Sequence, residues 1–118
     1  MFKSLFSRGP ETATKFQNIT APQLIERLDA GEALFLLDVR SSMEYQHDGH
    51  IAGSRLLPLN ALRQRLDEIP SDQTIICICR SGSRSMFAAE QLASAGFENV
   101  YNLSGGMFSW QMAGYPVQ

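Results

Sequence analysis

Two stretches of this chain are apolar almost throughout, and they restrict the fold more than any other feature. ALFLLDV, residues 33–39, and TIICIC, residues 74–79, do not alternate apolar with polar positions. A strand with one wet face alternates, whereas a strand covered on both sides does not, so both runs read as strands buried between two layers. Helix-like segments fall between such runs. FQNIT is a short extended run, after which Thr20 and Gln23 form a capping box for a helix that carries Leu24, Ile25 and Leu28 on one face and stops at Gly31. SSMEYQHDGH reads as a short polar helix or loop, SRLLPL as a brief strand, and ALRQRLDEI as a helix with Leu62, Leu66 and Ile69 on one side. The residues after Ser83 form a helix presenting Phe87, Ala88 and Leu92, NVYNL is a strand, and GGMFSWQMAG is a closing helix or turn. This alternation predicts an α/β fold, with a mainly parallel central sheet of about five strands and helices on both faces.

The 118 residues suffice for one domain and are too few for two. Residues 1–15 mix Ser, Thr, Gly, Pro and cations without periodicity and read as a flexible tail, while residues 16–118 form the domain. Within that tail Phe2, Leu5 and Phe6 fall at helical spacing, in a segment too short to hold a helix alone. With 10 Lys and Arg against 12 Asp and Glu, and no basic run, nothing suggests nucleic acid as a partner. No apolar stretch approaches the roughly 20 residues of a membrane helix, and MFKSLFSRGP lacks the features of a secretory signal. The expectation is a cytoplasmic chain with no integral membrane segment.

In open parallel sheets ligands bind beyond the carboxyl ends of the strands, where Asp38 and Cys79 both fall. The run CRSGSRS sets Cys79 between a strand end and a helix start. A free thiol ionises near pH 8.5, and the thiolate is the nucleophile. Three features favour the anion here. The helix turns its unpaired N–H groups and positive end toward the loop. Successive loop N–H groups can form an anion-binding nest, with Gly82 allowing the tight turn. Arg80 and Arg84 add permanent charge and planar donors for an anionic substrate. The competing interpretation is a buried strand cysteine, a helix capped by Ser81 or Ser83, and two surface arginines. Cys77, inside the apolar run, reads as buried and inert. The two cysteines, two residues apart on one strand, share a face and suit a thiol role better than a structural disulfide. C-x-C with distant His47 and His50 is no recognised ligand spacing, so neither a metal nor a cofactor is expected.

The order of four segments makes the reading specific. LLDVRSSMEY, then GHIAGS, then CRSGSRS, then NLSGGMFSWQMAGYPV together resemble the rhodanese-like single-domain sulfurtransferase family, over residues 16–117. The resemblance implies that Cys79 attacks the outer sulfur of a donor such as thiosulfate and holds it as a persulfide among loop N–H groups. A thiophilic acceptor then removes it: cyanide in an assay, a small thiol or protein cysteine in a cell. Partners are accordingly a small-molecule sulfur donor and a thiol acceptor, with a protein acceptor as a further option. By the same resemblance, the loop Arg80, Ser81, Gly82, Ser83, Arg84 and Ser85 binds substrate. Arg84 holds the ring and the donor anion, and Arg80 attracts anions at the mouth. Asp38 and Arg40 match the family's Asp-x-Arg and brace the loop through a charge-assisted pair. Glu44 and His50 fall in its Glu-Tyr…Gly-His segment, in which the interval from Glu44 to Gly49 is one residue longer than the commonest form. Trp110 is core or a pocket wall. Two rivals remain. A phosphatase or arsenate reductase of related fold uses five residues between cysteine and arginine, where this chain has four. A sulfur relay or partner-binding module needs the same cysteine and differs only in its partner.

Overall fold

The computed structural model describes residues 16–118; the tail expected over residues 1–15 lies outside them. Five strands, β1 (Phe16–Ile19), β2 (Leu34–Asp38), β3 (Arg55–Leu56), β4 (Thr74–Ile78) and β5 (Val100–Leu103), form one sheet in the order β1-β5-β4-β2-β3. Every pairing in it is parallel. The helices are α1 (Ala21–Asp29), α2 (Ser42–His47), α3 (Leu59–Leu62), α4 (Ser83–Ser94) and α5 (Gly106–Met112), and a 3₁₀ segment (Arg63–Glu68) follows α3.

Side-chain alternation along the strands divides the interior in two. On one face Leu37, Val39, Ile75, Cys77, Cys79 and Val100 pack with Leu62, Ile69, Ala88, Ala89 and Leu92, which belong to α3, the 3₁₀ region and α4. On the other, Leu36, Ile76, Ile78 and Leu103 pack with Ala21 and Leu24 of α1 and with Met107 and Trp110 of α5. The central strands are therefore buried on both sides, which is why their sequences do not alternate. The capping box on α1 forms as its sequence requires, with Thr20 Oγ1 accepting from Gln23 N at 3.2 Å and Gln23 Oε1 accepting from Thr20 N at 3.0 Å.

Three local expectations change. ALRQRLDEI is not one α-helix: α3 ends at Leu62, and the chain continues as 3₁₀ with a break at Arg65 (φ −126°, ψ 27°). In a 3₁₀ turn, residues three apart eclipse, so Leu66 and Ile69 still reach the core side. SRLLPL pairs in strand register over only two residues, Arg55 and Leu56, although the Leu57 and Leu59 N–H groups still donate to the Asp38 and Val39 carbonyls. On α4, Phe87 is 61% exposed, and the buried stripe is Ser85, Ala88, Ala89 and Leu92. Those positions lie one helical turn apart, while Phe87 points well off their line, and the alanines let α4 approach the sheet closely.

Candidate active site

The connections that follow β2 and β4 lead to β3 and β5, on opposite sides, so the carboxyl ends of these two neighbouring strands open a crevice. Cys79 is the first residue past β4. The chain then turns at Gly82, whose φ of +104° lies in the left-handed region, and α4 begins at Ser83. Gly82 is the helix cap and no side chain caps this end, so neither Ser81 nor Ser83 has that role. The Gly82 N–H donates to Cys79 Sγ at 3.1 Å, and the Ser85 hydroxyl lies 3.2 Å from the same sulfur.

The first turn of α5 shapes the loop from outside. Met107 N–H donates to the Cys79 carbonyl at 2.8 Å and Phe108 N–H to the Arg80 carbonyl at 2.9 Å. With its carbonyls held outward, the loop can turn N–H groups inward to the sulfur. This approach requires Gly106, at φ +56°, because a Cβ there would collide with the Cys79 and Arg80 carbonyl oxygens.

Burial pushes the Cys79 thiol up, but hydrogen bonds from the Ser85 hydroxyl and the N–H groups of Ser85, Gly82 and Ser81 outweigh it and hold the thiol below its ordinary value. Cys77 is pushed well up, by burial first and by neighbouring Cys79 second, and stays protonated. Cys79 itself is only 1% exposed, so the sulfur lies at the floor of the site.

The other expected residues gather around this loop in varied roles. Asp38 and Arg40 form a buried bidentate pair, with Arg40 Nε to Asp38 Oδ1 at 2.9 Å and Nη2 to Oδ2 at 2.8 Å. Arg40 Nη2 also donates to the Gly49 carbonyl at 2.9 Å, so the pair ties the end of β2 to the segment after α2. Arg80, Ser81 and Ser83 are exposed at the mouth. The Arg84 guanidinium donates through Nη1 and Nη2 to the two carboxylate oxygens of Glu44, both at 2.8 Å. Glu44 also completes the capping box of α2 with Ser41, at 3.0 and 3.2 Å. Arg84, then Ser41, hold the Glu44 carboxyl down at about 2. The long interval to Gly49 is taken up as helix to His47, with Asp48 closing it and Gly49 turning at φ +86°. His50 stacks on Tyr45 with ring centroids 3.8 Å apart. Trp110 is core, 1% exposed, and its Nε1–H donates to the Pro116 carbonyl.

Beside the loop, a cleft of about 370 Å³ is lined by Val39, Arg40, Ser41, Pro58, Leu59 and Arg84. A larger groove of about 410 Å³ lies elsewhere, between α4 and the 3₁₀ segment, and neither cysteine lines it. Two partners were not legible from the loop motif alone. Glu44 orients Arg84 from 40 residues away. Asn102 is buried at 2% exposure with its Oδ1 on the Ser85 hydroxyl, and the only signal for it was a polar residue in the interior of NVYNL, between Tyr101 and Leu103. Among the described residues, no helix is long and apolar enough to cross a membrane.

Comparison with known proteins places this geometry in context. A family model described as Rhodanese-like domain matches residues 20–113. A sulfurtransferase from Allochromatium vinosum is 35% identical over 99 residues, covering 84% of this chain and 92% of that protein. The thiosulfate sulfurtransferase GlpE from Pseudoalteromonas translucida is 38% identical over 98 residues, covering 83% and 91% respectively. A rhodanese-related protein from Thermoplasma volcanium, solved by crystallography, superposes with a TM-score of 0.79 at 35% identity, over 86% of this chain and 97% of that one. Several other relatives are longer, and the chain spans 56%, 54% and 25% of three of them.

Proposed function

Because this chain belongs to the rhodanese-like domain family, we propose that it transfers sulfane sulfur through a persulfide on Cys79. The observation that carries this reading is the pair of donors on one recessed sulfur, Gly82 N–H at 3.1 Å and Ser85 Oγ at 3.2 Å. They favour the thiolate, so no separate base is required to generate the nucleophile.

In the proposed reaction with thiosulfate, the Cys79 thiolate attacks the outer sulfur. A new S–S bond forms, the sulfur–sulfur bond of thiosulfate breaks, and sulfite leaves with the electron pair. The product is Cys79–S–S⁻. Its terminal sulfur carries the charge and takes up donors of the loop, as an oxyanion does in acyl transfer. An acceptor nucleophile then attacks that terminal sulfur and regenerates the thiolate; with cyanide the product is thiocyanate. Arg80 attracts the anionic donor at the mouth. Arg84, anchored by Glu44, holds the start of α4 and one wall of the cleft and contributes less charge to the donor than a free arginine. The buried Asp38–Arg40 pair acts as a brace.

Incubation with excess thiosulfate followed by removal of the donor should leave one additional sulfur atom on Cys79, discharged stoichiometrically by cyanide. Mass spectrometry checks this. Mercaptopyruvate and a persulfidated protein, run beside thiosulfate, separate a small-molecule enzyme from a protein-to-protein relay. No adduct with any of the three would remove the persulfide reading and leave a partner-binding module.

A further inference from the structure

A buried serine and a buried asparagine adjoin the reactive sulfur in a way that hydrogen-bond counting makes informative. Ser85 is fully buried and Asn102 is 2% exposed. The Ser85 oxygen is 3.2 Å from Cys79 Sγ and within hydrogen-bond reach of Asn102 Oδ1, while Asn102 Nδ2 lies 3.2 Å from Asn18 Oδ1. A hydroxyl has one proton and can donate in only one of these directions.

With the thiol protonated, every group is satisfied when S–H donates to Ser85 Oγ and Ser85 donates to Asn102 Oδ1. Ionisation of Cys79 releases its proton to solvent and reverses the demand: the sulfur then needs Ser85 as donor, and Asn102 Oδ1 would lose its partner. An unpaired buried carbonyl oxygen is unfavourable, because it has given up its hydrogen bonds to water and gained none in the protein. A half-turn of the Asn102 amide removes that cost without changing the shape of the side chain, because it presents N–H to Ser85 Oγ and carbonyl oxygen to Asn18. Asn18 is exposed on the edge strand β1 and can make the same half-turn in contact with water.

We infer that Asn102 is a positioning residue for sulfur transfer: backed by Asn18, it reverses the Ser85 hydroxyl so that a polarised O–H points at the Cys79 thiolate and then at the inner sulfur of the persulfide. The inference rests on the reading of Cys79 as the sulfur carrier. It explains why a polar side chain sits on the α4 face of a strand whose neighbours there are apolar. Other charged or titratable groups act on the same sulfur. They are Arg84 of α4 and Cys77 of β4, with Glu44 of α2 acting through Arg84; Arg80 of the loop and the Asp38–Arg40 pair at the end of β2 are the further charged groups of the site. None of these touches Ser85 or Asn102 through a side-chain hydrogen bond.

The test is a titration of Cys79 by thiolate ultraviolet absorption, which needs no sulfur donor and therefore succeeds or fails independently of the persulfide experiment. Ser85→Ala should raise the midpoint by about one pH unit, the scale of one hydrogen bond to a charged sulfur. Asn102→Leu should raise it similarly, and the Ser85→Ala/Asn102→Leu double variant should titrate with Ser85→Ala, since Asn102 acts only through the hydroxyl. Asn18→Ala, at an exposed edge position, should raise the midpoint by a smaller amount in a normally folded protein, and it decides the matter if Asn102→Leu does not fold. A wild-type midpoint in either asparagine variant, or an Asn102→Leu shift that persists in full without Ser85, would overturn the inference.

Discussion

Cys77 and Cys79 are separated by one residue, face the same side of the sheet and have opposite chemistry. Cys77 lies within β4 among Leu37, Ile75 and Val100, where ionisation is penalised by burial, whereas Cys79 lies one step past the strand, where N–H and O–H donors reach its sulfur. Replacing Cys79 with serine should abolish sulfur transfer and leave the fold intact. Cys77→Ser should keep transfer and lower stability by about 1–3 kcal/mol, the cost of a buried hydroxyl without a partner. Cyanolysis assays and denaturant melts on the two variants check both outcomes, and an inactive Cys77→Ser protein would point instead to a paired-thiol mechanism. The position of Cys79 between a strand end and a helix start was legible from sequence because strand end, glycine turn and helix start are all local features. Its partners were less so. Glu44 meets Arg84 across 40 residues, a contact created only by the parallel pairing of β2 with β4. That contact has its own pH signature. The Glu44 carboxyl is held at about 2, below its ordinary 4.5, so its stabilisation is complete above about pH 4.5 and is lost as pH falls through about 2. Both partners are partly exposed, which limits the effect to about 1 kcal/mol. Glu44→Gln should therefore be less stable than the parent at neutral pH, with the difference vanishing in acid, as read from denaturant midpoints across that range.

Among the elements, α5 shows how a helix can act on a site through its backbone. Its first N–H groups hold the Cys79 and Arg80 carbonyls, and Gly106 makes the approach possible. Two glycines with positive φ make a matched comparison. Gly106→Ala adds a collision with backbone to an unfavourable φ and should cost about 2–4 kcal/mol while displacing the loop, so that sulfur transfer falls with it. Gly114, at φ +80° with open space around it, should cost only about 1–2 kcal/mol as Gly114→Ala and leave transfer unchanged. Thermal melts with cyanolysis rates distinguish the two; equal losses of activity would mean that α5 does not shape the loop. Helices were legible where one periodic face meets one layer, as in α1. They were not where the sequence permits two windings: α3 gives way to 3₁₀, since Leu62, Leu66 and Ile69 reach the same core either way. Phe87 fits a helical stripe in sequence yet faces outward, because what excludes it is the closeness of α4 to the sheet, a tertiary property.

At the scale of the molecule, the two-sided burial of β2 and β4 was legible directly from their unbroken apolar runs, and it carries the parallel architecture with it. The strand order was not, since apolar runs of similar length are interchangeable until packing selects their neighbours. The same architecture limits the redox behaviour of the protein. Cys77 and Cys79 are the two cysteines of the chain, and residues two apart on one strand face stand about 6.6 Å from each other. A disulfide needs Cβ atoms about 3.8 Å apart, so neither thiol can resolve the other. A sulfur atom or an oxygen atom added to Cys79 therefore has no internal exit. Loaded with sulfur as proposed, the molecule should behave as a reservoir that waits for an encounter; attacked by peroxide with no external thiol present, it should climb from sulfenic to sulfinic and sulfonic acid. Intact-mass spectra after peroxide treatment should show added oxygen and no loss of two hydrogens, and prior loading with sulfur should leave an adduct that reductant removes, returning a thiol that direct oxidation would have destroyed.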